Sequence, residues 1–230
     1  MDLYGSLYAA ESTPVSVGVV VCPAWGAEAR TAERLCRSFA RAVAEGGGAA
    51  LVFDWPSQGE SGGEPEHTAL KDLVDAAGAA ADELKDRCGV DRLALAGFRV
   101  GASVAILTAA SVDAGALVLM QPIWDAHTHF ESVAKAARRA ALGADVSEGW
   151  AFGFPLPTTD SFEGSGPCVE ATLGSFVGPV VALGYELRES APVALESIDL
   201  PGDWKQAAAT GDERLADAAA RWVIESAARS

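Results

Sequence analysis

Short apolar runs alternate with longer amphipathic segments along the chain, and this alternation predicts an α/β fold. The predicted strands are rich in Val, Leu and Ala and too short to be helices; they cover 16–22, 49–55, 92–97, 115–121, 179–185 and 193–200. Continuous apolar runs of this length are typical of parallel strands that are buried on both faces. We therefore expect a mostly parallel sheet with helices on both faces.

The segments between these runs carry apolar residues at helical spacing. The predicted helices cover 28–45, 67–87, 100–111 and 212–228. In the first of them, Leu35, Phe39 and Val43 share one face, and three successive glycines from Gly46 provide a C-terminal stop. The N-terminal segment LYGSLYAA alternates polar and apolar residues, which is typical of an antiparallel edge strand.

The segment 122–178 interrupts the alternation. It contains an Ala- and Arg-rich helical segment, 130–142, and a Gly- and Pro-rich stretch, GWAFGFPLPTTDSFEGSGP. An insertion that follows the carboxyl end of a strand is a common position for a lid, and a decorative excursion is the alternative. We predict a single domain over 1–230 with a lid-like insertion at about 122–178.

Composition and charge exclude several classes of partner. Half of the 230 residues are apolar, and the formal charge of −15 would repel a phosphate backbone and an anionic lipid surface. No apolar run is long enough to span a membrane, and the N-terminus does not resemble a secretory signal. Four scattered cysteines indicate free thiols. We therefore expect a cytoplasmic protein with no nucleic acid partner, no membrane partner and no cofactor.

The sequence GFRVG at 97–101 joins a predicted strand to a predicted helix and has the spacing of a nucleophile elbow. Flanking glycines suit such a strained turn because a side chain at either position would clash. The middle residue is Arg99, and a guanidinium neither attacks a carbonyl nor accepts a proton at physiological pH. The motif indicates the fold and excludes a serine nucleophile at this position.

Together with this elbow, the N-terminal stretch from LYGSLYAA to DWPSQGESGG, the strand LVLMQPI and the segment GFPLP resemble the exosortase A system-associated hydrolases. The resemblance covers nearly the whole chain and implies the α/β-hydrolase fold and a gene context of bacterial polysaccharide biosynthesis. An arginine also occupies the elbow in members of that group, so the resemblance implies that Arg99 is a family trait. No reaction follows from the resemblance.

The remaining triad positions of an α/β-hydrolase are only partly filled. The acid follows the strand at 179–185, where Glu186 and Glu189 are candidates. The expected histidine loop reads LPGDWKQ, with Asp203 and Trp204 near the position, and no histidine follows His129. Two of the three triad roles are therefore missing. Without a base, Ser103 or Cys22 would be a slow nucleophile, and packing roles are the alternative for both.

Arg99 lies at the predicted carboxyl end of the sheet beside a helix N-terminus, a position that favours anions. The Val100 amide and the loop PAWGAE, which includes Trp25, Gly26 and Ala27, would hold an oxygen of the ligand. The candidate apolar walls are aromatic: Trp25, Trp124, Trp150, Phe152 and Phe154. The alternative is an internal plug in which Arg99 pairs with Glu186 or Glu28.

The segment DAHTH places Asp125, His127 and His129 close together and offers zinc-type donors, with a polar loop as the alternative that we favour. We expect no metal. Asp54 and Ser61 in DWPSQGESGG are expected to shape a turn, and His67 to be a cap or an exposed residue.

Three function classes follow. The first is a non-hydrolytic binder of an anionic or acyl-bearing small molecule at Arg99, a pseudoenzyme, with a homodimer as a further option. The second is an unconventional hydrolase, transferase or lyase that acts on an ester, thioester or carbonyl, with Arg99 as electrophile and Glu186 or Asp125 as base. The third is a scaffold that binds a partner protein through the lid.

Overall fold

The computed structural model describes residues 2–11, 14–64, 67–141, 150–184, 196–199 and 213–229. The strands of these ranges are β1 (Gly5–Ala9), β2 (Gly18–Cys22), β3 (Ala49–Phe53), β4 (Leu93–Phe98), β5 (Ala116–Met120), β6 (Trp150–Ala151), β7 (Phe154–Pro155), β8 (Val180–Gly184) and β9 (Glu196–Asp199). The helices are α1 (Ala27–Glu45), α2 (Leu70–Cys88), α3 (Val100–Ala109), α4 (Ala126–Ala140), α5 (Ser165–Ser175) and α6 (Glu213–Arg229), with a short 3₁₀ helix at Thr159–Phe162.

The main sheet has the strand order β1-β3-β2-β4-β5-β8-β9. Strand β1 pairs with β3 antiparallel at the edge, and the other described neighbours are parallel, as the sequence predicts. The register places Cys22 beside Gly97 and Phe98 beside Met120. The carboxyl ends of β2, β4 and β5 therefore lie side by side, and this edge carries the site described below.

Helices cover both faces of the sheet, which confirms the predicted layers. Helix α1 buries Leu35, Phe39 and Val43 against one face and packs beside α6. Helices α2 and α3 pack together on the opposite face. The central strands β2, β4 and β5 are buried along their whole length, because the middle of a parallel sheet between two helical layers has no solvent-facing surface. None of the helices in the described ranges combines the length and apolar character that a membrane span requires.

The described residues between β5 and β8 pack over the carboxyl edge of the sheet. It contains α4, the β6–β7 hairpin, the 3₁₀ helix and α5. Helix α4 begins at Ala126, four residues before the predicted 130, so the polar-loop interpretation of DAHTH is wrong. Helix α5 was not predicted, because Gly166 and Pro167 resemble a loop; both lie in its first turn, where proline is tolerated.

Candidate functional site

The turn from β4 to α3 has the strained geometry of a nucleophile elbow. Arg99 adopts φ 55° and ψ −122°, a region that residues other than glycine rarely occupy. A Cβ at Gly97 would lie 2.3 Å from the Ala102 Cα, and a Cβ at Gly101 would lie 2.2 Å from the Cys22 carbonyl oxygen. Both glycines are therefore required by close backbone approach, and residue 99 is held at the carboxyl edge of the sheet.

The adjoining end of β5 is strained as well. Gln121, the residue that follows β5, has φ 46°. The Arg99 amide donates to the Met120 carbonyl at 3.0 Å, and the Arg99 carbonyl accepts from the Ile123 amide at 3.2 Å. Neighbouring strands thus hold two residues with positive φ at one crevice, and strained backbone of this kind clusters at functional sites in proteins.

The guanidinium of Arg99 is paired with Glu28, in the first turn of α1. Arg99 Nη2 donates to Glu28 Oε1 at 2.8 Å, and Nε donates to the same oxygen at 3.1 Å. Nη1 approaches the Gln121 carbonyl at 3.4 Å. The Arg99 side chain is 16% exposed and that of Glu28 31% exposed, so the pair lies at the mouth of the crevice. The sequence left two internal partners open for Arg99, Glu186 and Glu28. The structure shows the pair with Glu28, and Glu186 lies outside the described residues.

The second oxygen of Glu28 faces a histidine from the segment over the sheet edge. His129 Nε2 lies 3.4 Å from Glu28 Oε2, and its side chain is 15% exposed. Burial raises the pKa of the Glu28 carboxyl, but the hydrogen bonds and charges of His129 and Arg99 lower it by more, and the net pKa falls from 4.5 to about 2. Glu28 is therefore a carboxylate at neutral pH, with one cation or donor at each oxygen.

Sequence reasoning did not place His129 in the site, because it treated 125–129 as a loop. A usable signal was present: Asp125 is a good N-cap residue, and Ala126 and Phe130 repeat at helical spacing behind it. A helix that starts directly after β5 directs its first turns over the carboxyl edge of the sheet. His129, in the first turn of α4, reaches Glu28 in this way.

The loop 23–26 between β2 and α1 contains two of the predicted ligand-binding residues, Trp25 and Gly26. Gly26 has φ 59° and precedes Ala27, the first residue of α1. Trp25 is 5% exposed and Val100 2% exposed. Within the described ranges, neither the Trp25 amide nor the Val100 amide donates to a backbone carbonyl. The Val100 amide belongs to the first turn of a helix, where amides lack an intrahelical acceptor.

The β6–β7 hairpin packs onto this loop. The Trp25 indole Nε1 donates to the Pro155 carbonyl at 3.0 Å. A Cβ at Gly26 would lie 3.4 Å from the Phe154 Cβ, and the Arg30 guanidinium lies 5.9 Å from the Phe154 ring centroid. Two of the candidate binding residues, Gly26 and Phe154, therefore lie close together across the loop and the hairpin.

A cavity of about 470 Å³ borders the loop 23–26. Gly26, Arg30 and Phe154 line it, together with residues of β1 and of the turn after β3. Its volume lies within the range of small-molecule sites. The cavity therefore borders the loop 23–26, and neither Arg99 nor Glu28 is among the described residues that line it.

Other candidate residues have different surroundings. Trp124 is half-buried against the core, and Trp150 and Phe152 are 42% and 55% exposed. The Ser103 hydroxyl is buried and donates to the Ile123 carbonyl, which supports a packing role. Cys22 is fully buried, and burial raises the pKa of its thiol far above the ordinary range, so it remains a thiol.

Asp125 caps α4. Its Oδ1 accepts from the Thr128 amide at 3.2 Å and its Oδ2 from the Thr128 hydroxyl at 2.8 Å. Burial raises the pKa of this carboxyl, but Thr128 and the His127 amide lower it by more, so the net pKa is below its usual range. A carboxylate with a lowered pKa is a poor general base at neutral pH. The geometry thus favours a capping role.

The remaining polar candidates divide between the turn after β3 and the undescribed ranges. Asp54 Oδ2 accepts from the Glu60 amide at 3.0 Å, and the Ser61 hydroxyl donates to the Asp54 carbonyl at 2.8 Å, so both residues hold the turn. Glu186, Glu189, Asp203 and Trp204 lie outside the described residues. Among the residues that are described, no three His, Cys, Asp or Glu side chains form a cluster that could hold a metal ion.

No family model matches the chain, and no curated protein matches it in sequence. Its structure resembles many solved α/β-hydrolases. Est1E from Butyrivibrio proteoclasticus, with ferulic acid bound, has a TM-score of 0.71 at 20% identity, over 98% of this chain and 96% of that chain. The monoacylglycerol lipase of Paleococcus ferrophilus has a TM-score of 0.64 at 15% identity, over 98% and 100% of the two chains.

A third structure is the proline iminopeptidase of Mycobacterium smegmatis, with a TM-score of 0.65 at 14% identity over 99% of this chain and 96% of that one. Identities this low carry information about the fold alone. The parallel sheet, the elbow at Arg99 and these structural matches agree with one another. The chain therefore has the α/β-hydrolase fold, and the structures that it resembles include esterases and lipases.

Proposed function

We propose that this chain binds a small molecule with an anionic or acyl group beside Arg99 and has lost serine hydrolysis. The observation that carries the proposal is Arg99 in the strained elbow conformation, at the position from which an α/β-hydrolase presents its nucleophile. A guanidinium donates hydrogen bonds and stays charged, so it recognises an oxygen of the ligand and does not attack carbon.

The surroundings of the elbow support a binding role. The amides of Trp25 and Val100 have no backbone acceptor in the described part of the chain. In an ester hydrolase such amides stabilise a transient oxyanion, and here they would hold a stable ligand oxygen. The nearby cavity of about 470 Å³ provides room next to the same loop. The Est1E structure contains ferulic acid, an aromatic carboxylic acid, which supports this ligand class.

The biological setting that we propose comes from the family resemblance. The elbow arginine, the N-terminal stretch and GFPLP resemble the exosortase A system-associated hydrolases, whose genes lie among bacterial polysaccharide genes. A pseudoenzyme that binds an acyl-bearing or anionic intermediate would suit such a biosynthetic pathway.

A binding titration tests the proposal. Wild-type protein is titrated with octanoate and with the uncharged analogue octanamide, and the tryptophan fluorescence and the heat of binding are recorded. We expect saturable binding that Arg99→Gln weakens by about tenfold, the usual effect of losing one charge-assisted hydrogen bond. Arg34→Gln is the matched control, because Arg34 is an exposed residue of the same helix α1 as Glu28 and does not line the cavity. No saturable binding of either compound to the wild type would refute the proposal.

A second candidate function is hydrolysis of an ester by water, and the contact between Glu28 and His129 favours it. A histidine beside a carboxylate is a common general base, and Arg99 would stabilise charge on the substrate carbonyl. An ester assay of His129→Gln beside His127→Gln separates the two functions. His127 is on the same helix, and its side chain contacts the Thr159 carbonyl and Glu131. Turnover that only the His129 variant loses would favour this second function.

A further inference from the structure

The carboxylate of Glu28 lies between Arg99 and His129, which belong to two other elements. The position that these two side chains form is named the carboxylate seat. Its Oε1 accepts from Arg99 Nη2 and Nε at 2.8 and 3.1 Å, and its Oε2 faces His129 Nε2 at 3.4 Å. The elbow contributes the arginine and α4 contributes the histidine. Each oxygen of one carboxylate therefore has its own nitrogen partner, an arrangement that matches the shape and the single charge of a carboxylate.

We propose that this seat is the binding site for the carboxylate of a ligand with an apolar or aromatic body, and that Glu28 occupies it when the ligand is absent. The inference rests on the proposed function and names its ligand class. The ligand carboxylate would take over the hydrogen bonds of Arg99 and the contact with His129. Glu28 would turn outward into water.

The position of Glu28 permits this exchange. Its side chain is 31% exposed, about twice the exposed fraction of its two partners. Glutamate has a flexible side chain, and Glu28 lies in the first turn of α1, where a carboxylate is stabilised by the helix dipole whether or not it touches Arg99. An exchange of one carboxylate for another leaves Arg99 paired throughout, so no buried charge is left without a partner.

The competition between Glu28 and the ligand predicts the direction in which the ligand affinity changes when Glu28 is removed. A tethered carboxylate acts at a high effective concentration, so it weakens the apparent affinity for a free carboxylate. Removal of Glu28 therefore increases that affinity. A residue that only maintained the structure of the site would have the opposite effect when it was removed.

The surrounding rings select the body of the ligand. The Trp25 and Phe130 rings meet edge to face, with centroids 6.4 Å apart, and the His129 ring lies 5.7 Å from that of Phe130. The Trp25 and Phe130 rings are 5% and 2% exposed, so His129 packs against a buried aromatic cluster. An alkyl or aryl group that extends this apolar cluster is favoured over a sugar body. A doubly charged phosphate suits the seat less well, because Arg99 and His129 are its only described nitrogen partners and the chain has a net charge of −15.

The test compares four probes, octanoate, acetate, glucuronate and octanamide, by calorimetry and ligand-observed NMR on the full-length chain. We expect Glu28→Ala to bind octanoate about tenfold more tightly than the wild type does. Its affinity for octanamide should stay within about twofold, because the amide does not compete for the charge of Arg99. Glu45→Ala is the matched control, since Glu45 is an exposed residue at the end of the same helix α1 and does not line the cavity. Arg99→Gln should abolish the gain when it is combined with Glu28→Ala.

Each other outcome overturns a defined part of the inference. Unchanged octanoate affinity in Glu28→Ala and in the isosteric Glu28→Gln, with cooperative thermal unfolding retained in either variant, would overturn the competition. An equal gain for acetate, or tighter binding of glucuronate than of octanoate, would overturn the apolar body. Binding of octanamide and octanoate with equal affinity to every variant would refute the carboxylate seat and leave the proposed function intact. Failure of both compounds to bind the wild type would refute the proposed function itself.

Discussion

Arg99 Nη2 lies 2.8 Å from Glu28 Oε1, so the residue at the strained elbow is ion-paired with the first turn of α1. The pair joins the two segments that build an ester hydrolase site, the elbow and the loop after β2. The Glu28 carboxylate offsets the charge of the guanidinium. An anionic ligand therefore has to share Arg99 with Glu28 or replace it.

The Arg99–Glu28 pair predicts a specific acid dependence of stability. The pKa of Glu28 is about 2 in the folded chain against an ordinary 4.5, so its contribution is present above about pH 4.5 and is lost as the pH falls toward 2. We expect the difference in free energy of unfolding between the wild type and Glu28→Gln to shrink by about 2 kcal/mol over that interval, with partial exposure limiting the size. Denaturant unfolding at several pH values measures it. Glu33→Gln, on the exposed surface of α1, should show little such change.

The elbow glycines predict large losses of stability. Gly97→Ala and Gly101→Ala would place a Cβ 2.3 Å or less from backbone atoms, and backbone cannot move aside as a side chain can. We expect each to cost at least about 3 kcal/mol of unfolding free energy or to prevent folding. The control is Gly174→Ala in α5, where nothing lies within 4 Å and the helix should gain up to about 1 kcal/mol. Near-neutral effects at 97 and 101 would contradict the elbow geometry.

Backbone strain at Arg99 can be separated from the ion pair. Arg99→Ala and Arg99→Gly both remove the guanidinium, but only glycine relaxes at φ 55° and ψ −122°. We expect the glycine variant to be the more stable by about 1 kcal/mol, which is the strain relief less the larger entropy of unfolded glycine. Thermal and chemical unfolding of the two variants provide the comparison. An alanine variant as stable as the glycine variant would mean that the turn holds no strain.

The capping role of Asp125 predicts a loss of stability without a loss of binding. Asp125→Ala removes the acceptor for the Thr128 amide and should cost about 1 kcal/mol, whereas Asp125→Asn keeps a good cap and should cost less. Octanoate affinity should be the same in both variants as in the wild type. A variant that folds normally but loses ligand binding or turnover would instead assign Asp125 to the site.

The sheet and the elbow were predictable because their signals are local. Parallel strands and their covering helices follow from apolar runs and helical spacing, and GFRVG carries its geometry in two glycines. The sequence did not decide whether Arg99 pairs with Glu28 or with Glu186. A strand order shows which segments are neighbours, but it does not show which side chains are in contact. The position of His129 depends on the residue at which α4 begins. The sequence predicts helix boundaries less well than it predicts the helices themselves, because the boundaries depend on the geometry of the caps.

Helix α5 and the β6–β7 hairpin were the elements least visible in the sequence. The hairpin strands have two residues each, and the turn between them uses Phe152 with φ 52° followed by Gly153. Strands this short have no usable alternation. Their position depends on tertiary contacts such as that between the Trp25 indole and the Pro155 carbonyl.

The claim that this elbow has exchanged ester hydrolysis for binding is tested most directly by the turnover of p-nitrophenyl esters of graded chain length. The assay uses the purified wild type beside Arg99→Ala, His129→Gln and Glu186→Ala. We expect no turnover above the buffer blank in any of the four proteins, because residue 99 is not a nucleophile. Wild-type turnover that disappears in Arg99→Ala and in either of the other two variants would contradict the claim and show an enzyme with an arginine-centred mechanism.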